Sequence, residues 1–447
     1  MTIPAVWSDA ARQKTLDAAK AAGIGPKIQT ISEPEAAAVH AFATLQNKDL
    51  KIGDVYIICD AGGGTVDLIT LEVTSLDPMQ FREVVPGEGG LCGSAFINFG
   101  FENLMKTKFG PNEFHKFYKR SPKQWKVVMD NFDQSVKRSF DMSKARNRKR
   151  KFELPFPGMP DNSTIGIEGG MLSLTSEEIE NMFEPVCRDI LLLIQRQVDA
   201  ATTAGHSPSG ILVVGGLGRS PYLLDRINER FIGTPSTAGV KRDYDEMTGD
   251  RSSRPKSPAM TLLKPADAWT AVVRGAALGG MSNVEVVTSR KARRHYGVRY
   301  RPEFDPTKHS PSAKYWDEIK EKWKARGQMK WYIRKGDTVP ANVPILNNFH
   351  RINAEEHSSV GSDLYCCDDD QAPQERRGNE SKIYKLCSVD IPRRDIPGGA
   401  FRKMENSSGA KYTNLDYALG MHVGSGELRF DFRLDGRVLG HIDARFD

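Results

Sequence analysis

The stretch Val55-Tyr-Ile-Ile-Cys-Asp60-Ala-Gly62-Gly63-Gly64-Thr65-Val66-Asp67 decides how the rest of this chain is read. An apolar run of strand-forming residues ends in an acid, turns through glycines, and leaves as a second strand, Val66 to Val73. Residues 66 to 72 have the β-branched content of a half-buried strand. Glycines at a hairpin tip permit positive φ and leave backbone N–H groups uncovered, so an anion such as phosphate can approach closely. Asp60 just before the turn and Asp67 just after it are spaced to orient a metal-bound water beside that anion. The glycines alone fit an ordinary hairpin. The two acids and Thr65 around them point to a nucleotide site.

Bulk properties set the frame. A chain of 447 residues is expected to hold about two to four domains and has ample length for a buried core. Hydrophobic content of 39% and charged content of 27% are ordinary for a globular protein. A net charge of +6 is small for this length and gives no argument for nucleic acid, which is not expected as a partner. No apolar run approaches a membrane span, and Met1-Thr-Ile-Pro has neither a basic region nor an apolar core of the secretory kind. Six scattered cysteines suit a reducing cytosol, so a cytoplasmic protein is expected. The pair Cys366-Cys367 lacks metal-ligand spacing and reads as a loop.

Working outward, Ser8 is a good N-cap for a helix over about 9–22, and Gly23 stops it. Ile28 to Ile31 reads as a short strand leading to Ser32-Glu33-Pro34-Glu35-Ala36-Ala37-Ala38, where Pro34 suits the first turn of a second helix. Glu33 lies near the positive end of that helix dipole and is expected to be ionised and fixed. A capping acid explains Glu33 as well as a catalytic one does. After the hairpin, Phe81 to Val85 is a third strand, and Pro86 to Gly93 is a second glycine-rich turn opening a helix over about 94–109. A glycine loop at a helix N-terminus is a natural phosphate contact, although such loops are common.

Residues 121–144 read as one helix with an apolar stripe, Lys137 and Arg138 lying near its end. The basic run Arg146 to Lys151 reads as a solvated loop. A helix from about 176 carries Ile179, Met182, Phe183, Val186, Ile190 and Ile194 as core positions. Ile211 to Val214 then runs into Gly215-Gly216 and a helix over about 221–231, a second strand–glycine turn. Arg219 on it is placed to lie flat on a planar ring. Residues 233–258 have almost no apolar content and are expected to be a disordered insertion. A further helix ends at Arg274-Gly275-Ala276-Ala277, its small residues suggesting close packing against the glycine turns. Tyr296 to Tyr300, Trp331 to Asp337, Ile383 to Ile391 and Leu428 to Phe432 read as strands of a small β-rich domain.

Together these motifs resemble the nucleotide-binding domain of the 70-kilodalton heat-shock proteins, in the actin-like ATPase superfamily. Pro4-Ala5 with Arg12-Gln13, Ser32 to Ala38, Asp60 to Asp67, Val213 to Gly216 with Arg219-Ser220-Pro221, and Arg274 to Ala277 stand in the family's order over residues 1 to about 282. The remainder is similar to a divergent branch with an atypical C-terminal half. The resemblance implies an α/β fold of ribonuclease H-like lobes followed by a small β-rich domain. The expected divisions are a partial first lobe with the phosphate hairpin (1–92), a second lobe on the adenosine side (93–232), the insertion, a return helix (259–282) and the β-rich domain (283–447).

It also implies ATP or ADP with Mg²⁺ as cofactors. Gly62, Gly63, Gly64 and Thr65 would contact the β- and γ-phosphates, and Asp60 would hold Mg²⁺ through water. Asp67 and Glu33 would orient the attacking water. Gly93 matches a second phosphate-side glycine, although Cys92 stands where another glycine is usual. Lys137 and Arg138 match the ribose- and adenine-side basic pair. Gly215, Gly216 and Arg219 match the adenosine turn, so Arg138 and Arg219 would sandwich the adenine. Gln134 stands where a ribose-binding glutamate is usual.

The largest departure is that no Asp-x-Gly-Thr turn or catalytic lysine of the family's opening segment precedes Pro4. The first lobe therefore reads as incomplete, which would expose a sheet edge and cost several orders of magnitude in phosphoryl transfer. The expectation is a truncated, chaperone-related ATP-binding protein with weak or absent hydrolysis. Unfolded clients or co-chaperones would be its partners. An active ATP-dependent chaperone with an incomplete recorded N-terminus is the alternative, and a scaffold that binds partners without nucleotide is another. The Ser-Glu-Pro-Glu-Ala-Ala-Ala motif argues against a sugar or acetate kinase.

Overall fold

The computed structural model describes residues 1–25, 28–44, 50–141, 151–157, 159–233, 260–281, 285–341, 343–424, 428–442 and 445–446. Apart from Gly233 and Lys151, the expected insertion and the basic run 146–151 lie outside the described residues. The chain divides into two compact units, one of residues 2–6 and 32–286, the other of residue 1, 7–31 and 287–447.

At the centre of the first unit is the expected hairpin, Val55–Ala61 paired with Val66–Leu76. Met79–Gly90 continues the sheet antiparallel on one side, while Gly210–Val214 and then Thr261–Leu263 add in parallel on the other. Val55–Ala61 and Gly210–Val214 are buried throughout because helices cover both faces. Ile57, Cys59 and Ala61 join a core with Ile97, Phe101, Ile190 and Ile194, from helices Ala95–Phe109 and Ser176–Thr203. Tyr56 and Ile58, one residue out of phase, join a second core with Ala37, Ala41, Phe42 and Ala271, from helices Glu33–Thr44 and Ala271–Met281. This is the two-residue period of a strand buried on both sides. A Cβ on Gly275 would fall inside the Ala36 carbonyl, so the small residues of Ala271–Met281 serve its approach to Glu33–Thr44 rather than to the glycine turns.

Several boundaries differ from the sequence reading. The third strand runs on through Pro86 to Gly90, where Glu83 Oε1 accepts the Gly87 N–H at 3.0 Å, so the second glycine turn shrinks to Leu91–Ser94. The strand expected at 28–31 is only Ile31–Ser32. The single helix expected over 121–144 is broken into Pro122–Asn131, a π turn at Phe132–Val136, and Lys137–Ser139. Ser135 and Ser139 bond back to the carbonyls of Asn131 and Ser135, competing with the regular ladder there. A helix at Pro111–Arg120, opened by proline at its first position, was not anticipated. The long helix Ser176–Thr203 starts where expected, with a full capping box between Thr175 and Glu178.

In the second unit, Ser8 caps helix Asp9–Ala21 by accepting the Ala11 N–H. One antiparallel sheet has the order Gln328–Ile333, His295–Tyr300, Ser359–Cys367, Tyr384–Pro392 and Arg445–Phe446. Another contains Ile345–Ile352, Lys411–Val423, Leu428–Leu434 and Arg437–Ile442. Val298, Leu364 and Val389 of the first share one core with Leu415, Leu419 and Phe432 of the second, as in two sheets stacked face to face. Cys366 and Cys367 end a buried strand, which corrects the loop reading. Alternation there is masked because neighbours on both sides of the strand are apolar or aromatic.

Candidate functional site

Strand pairing places Asp60 directly opposite Asp67, at the ends of the two hairpin strands where the glycine tip begins. The tip is closed by the Gly62 N–H donating to the Thr65 carbonyl at 3.0 Å. Gly62, Gly63 and Gly64 turn their carbonyls toward helix Ala95–Phe109, accepting the N–H groups of Ser94, Ala95 and Gly93 at 3.1, 2.8 and 3.2 Å. Those N–H groups have no partner within a helix, so the hairpin tip caps the helix. The second glycine loop thus holds the first in place, where the sequence suggested an open helix N-terminus. Gly93 is needed for this contact: a Cβ on it would lie 2.5 Å from the Gly63 oxygen and 2.6 Å from the Gly64 carbonyl carbon. Gly63 and Gly64 remain exposed at the tip, with Gly62 and Thr65 half-buried.

Behind the tip, the acids sit in poor solvent. Asp60 is 6% exposed and Asp67 1% exposed, while Glu33, at the first position of its helix, is half-buried. Asp67 Oδ1 accepts the Val6 N–H at 2.9 Å. Burial, with the charges of Glu33 and Asp67 nearby, pushes the Asp60 carboxyl up to about 7. Burial and Asp67 also raise Glu33. Glu33 thus stands at the start of its helix as expected, with desolvation and a neighbouring acid raising its proton affinity against the partial charge of the helix end.

The adenosine-side turn comes up against the same acid. Gly215 has φ +86°, and a Cβ on it would lie 2.5 Å from Asp60 Oδ1, so only glycine fits between turn and carboxylate. Its N–H donates to the Ala268 carbonyl at 3.1 Å. Gly216 and Arg219 are exposed on the turn, and Ser220 caps the helix Pro221–Ile227 that follows.

Lys137 and Arg138 follow the π turn and diverge. Lys137 is buried, its Nζ donating to Asn98 Oδ1 at 2.9 Å and the Ser94 carbonyl at 3.3 Å and pairing with Asp133. That ties it to the start of helix Ala95–Phe109, just after Gly93. Arg138 and Gln134 are exposed. The structure thus brings together Glu33, Asp60 and Asp67, the tip with Gly93, and Gly215 with Asp60. Arg138, paired with Asp133 at 3.9 Å, and Arg219 both keep exposed guanidinium groups. Trp269, 69% exposed and next to Gly216, was not singled out from the sequence. No local signal marks it, because only the fold carries it to the turn.

Two carboxylates, Asp60 and Glu33, whose proton affinity is raised by burial and by nearby acids are a place where a cation is welcome. Among the described residues, no group of three or more His, Cys, Asp or Glu is arranged to cage a metal directly. Mg²⁺ needs no such cage, because it keeps waters and is shared between one or two carboxylates and bound phosphates. The residues present therefore fit a hydrated Mg²⁺ carried in with a phosphate ligand.

Both parts of the chain match known families. The profile of the family described as Hsp70 protein matches residues 1–247, and a domain of unknown function, DUF8568, matches residues 290–438. The chain is 27% identical over 235 residues to the chaperone protein DnaK of Stenotrophomonas maltophilia, covering 52% of this chain and 34% of that protein. It is 23% identical over 281 residues to human heat shock 70 kDa protein 12A, covering 59% of this chain and 37% of that protein. Against a chaperone protein HscA homolog of Vibrio cholerae it is 25% identical over 238 residues, covering 53% and 33%. The chain thus spans about a third of the length of the curated relatives it matches. The actin-like ATPase fold expected from the sequence is borne out, and the antiparallel sheets of the second unit agree with the expected β-rich region.

Proposed function

The chain belongs to the Hsp70 family, and we propose that it is a chaperone-related protein that binds ATP or ADP with Mg²⁺ at the glycine hairpin. The observation that carries this reading is the cluster of Glu33, Asp60 and Asp67 behind the exposed tip of Gly63 and Gly64, with Asp60 pushed up to about 7. In it, Gly62 to Thr65 receive the β- and γ-phosphates, and Asp60 holds the hydrated Mg²⁺. Bound Mg²⁺ neutralises charge on the phosphates. Asp67, fixed by the Val6 N–H, and Glu33 orient a water toward the terminal phosphate. Gly93, in the turn before helix Ala95–Phe109, supports the tip, Lys137 braces the start of that helix, and Gly215, Gly216, Arg138 and Arg219 line the adenosine side.

For the polypeptide of residues 1–447 by itself, we propose weak hydrolysis. Its sequence carries one hairpin of this kind, and its buried lysine is already neutralised by Asp133. Phosphoryl transfer is positioning and charge stabilisation, so a site with one phosphate loop binds better than it turns over. Unfolded clients or co-chaperones are the partners this reading takes, and a reducing cytosol is its setting, with all six cysteines free and buried. Single-turnover release of phosphate from Mg·ATP tests the assignment. Slow release that Asp67→Asn abolishes supports it, whereas release unchanged in both Asp67→Asn and Glu33→Gln contradicts the roles given to these acids.

A further inference from the structure

Trp269 lies in the segment between strand Thr261–Leu263 and helix Ala271–Met281. A methyl group built on Gly216 would touch its indole, at 3.7 Å from Cδ1. The preceding residue, Ala268, accepts the Gly215 N–H, so this segment and the Gly215–Gly216 turn are fastened to each other beside the indole. Single exposed apolar side chains are ordinary on protein surfaces and need no explanation. Two features set this one apart.

The first is that the segment is pinned from several sides. Both Asp267 carboxylate oxygens lie 3.0 Å from Nε2 of His40, which is buried in helix Glu33–Thr44. Arg274 pairs with the same carboxylate at 3.2 Å. The Thr270 N–H donates to the Asp267 carbonyl at 2.8 Å, and the Ala268 N–H to the Pro265 carbonyl at 3.2 Å. The second feature is what lies next to the indole. Gly216 has no side chain, so an exposed aromatic plane and bare backbone adjoin, with Arg219 exposed on the same turn. A fixed aromatic surface beside uncovered backbone suits a flat ring, which gains dispersion and π contact at little cost in side-chain entropy.

We propose that Trp269 is a base-stacking residue of the nucleotide site, forming with the backbone of Gly215 and Gly216 the surface on which a purine lies. This rests on the nucleotide reading above. The indole offers no hydrogen-bonding edge to a stacked ring, so it selects for ring area, purine over pyrimidine, rather than for particular exocyclic groups.

Tryptophan-fluorescence and calorimetric titrations of the full chain with Mg·ADP, Mg·CDP and Mg·tripolyphosphate test the proposal. Mg·ADP is expected to quench the unaltered chain, and Trp269→Phe to remove the quench while keeping most of the affinity. Trp269→Ala, at an exposed position, should leave circular dichroism unchanged, weaken Mg·ADP about tenfold, and leave Mg·tripolyphosphate unaffected. Equal affinity of Trp269→Ala and the unaltered chain for Mg·ADP overturns the stacking role and leaves the nucleotide reading standing. A matching loss for tripolyphosphate also overturns it, because the effect is then on the turn. If the unaltered chain binds no Mg·ADP, the nucleotide reading falls and this proposal with it.

Discussion

Replacing Asp60 with asparagine should stabilise the protein in the absence of Mg²⁺, and the gain should depend on pH in a defined way. In the folded chain this carboxyl titrates at about 7, against 3.8 for the unhindered side chain. Between those values the unfolded chain has released the proton and the folded chain still holds it. The folded state therefore binds more protons, and stability falls as pH rises through the window, becoming flat above about 7. The interval from 3.8 to about 7 corresponds to at most about 4 kcal/mol, at 1.36 kcal/mol per pH unit.

An asparagine side chain at this position carries no charge to desolvate, so Asp60→Asn avoids that cost. Urea unfolding in EDTA, followed by circular dichroism, should show the variant more stable than the unaltered chain by about 2–4 kcal/mol at pH 8. At pH 4 the difference should nearly vanish. The same variant should lose the stabilisation that Mg·ADP gives the unaltered chain, since the carboxylate that holds the cation is gone. A variant less stable at pH 8, or a gain equal at pH 4 and pH 8, would refute the argument that burial and two neighbouring acids strain Asp60.

Other outcomes follow from the same geometry. Glu33→Gln removes one of the charges acting on Asp60, so the midpoint of the pH-dependent stability loss should move below 7; an unchanged midpoint in the urea series counts against the coupling. Gly93→Ala forces a methyl group into the backbone of Gly63 and Gly64, and should cost about 1–3 kcal/mol in urea unfolding and weaken Mg·ADP binding together. Gly215→Ala should do the same through Asp60, so an alanine variant with unaltered stability and affinity contradicts the close approach described. His40→Ala releases Asp267 from helix Glu33–Thr44 and should weaken Mg·ADP more than Mg·tripolyphosphate, measured by calorimetry, because it loosens only the base-side segment.

The hairpin and its acids were legible because local chemistry marks them: an apolar run, glycines where backbone must be bare, and carboxylates in register across the turn. Ser8 was legible as a cap for the same reason. What escaped was set by neighbours distant in sequence. Glu33 reads from its own helix as a simple capping acid, and nothing local shows that burial and Asp67 raise its proton affinity. Gly93 looks like an open phosphate contact, yet its N–H is taken by Gly64. The break at Phe132–Val136 lies inside an unbroken apolar stripe, which periodicity reads as continuous helix. Cys366 and Cys367 looked like a loop beside three aspartates, but they end a strand buried on both faces. Trp269 has no motif at all, and its place comes from the Ala268–Gly215 bond and the His40–Asp267 pair.

The most direct test of the account is isothermal titration of the 447-residue chain with ADP at pH 8, with Mg²⁺ and with EDTA. One saturable site is expected, strengthened by Mg²⁺ in the unaltered chain and indifferent to Mg²⁺ in Asp60→Asn. No heat at millimolar ADP with Mg²⁺ present, or a Mg²⁺ effect that survives Asp60→Asn, would contradict the assignment of residues 60 to 67 as the nucleotide site.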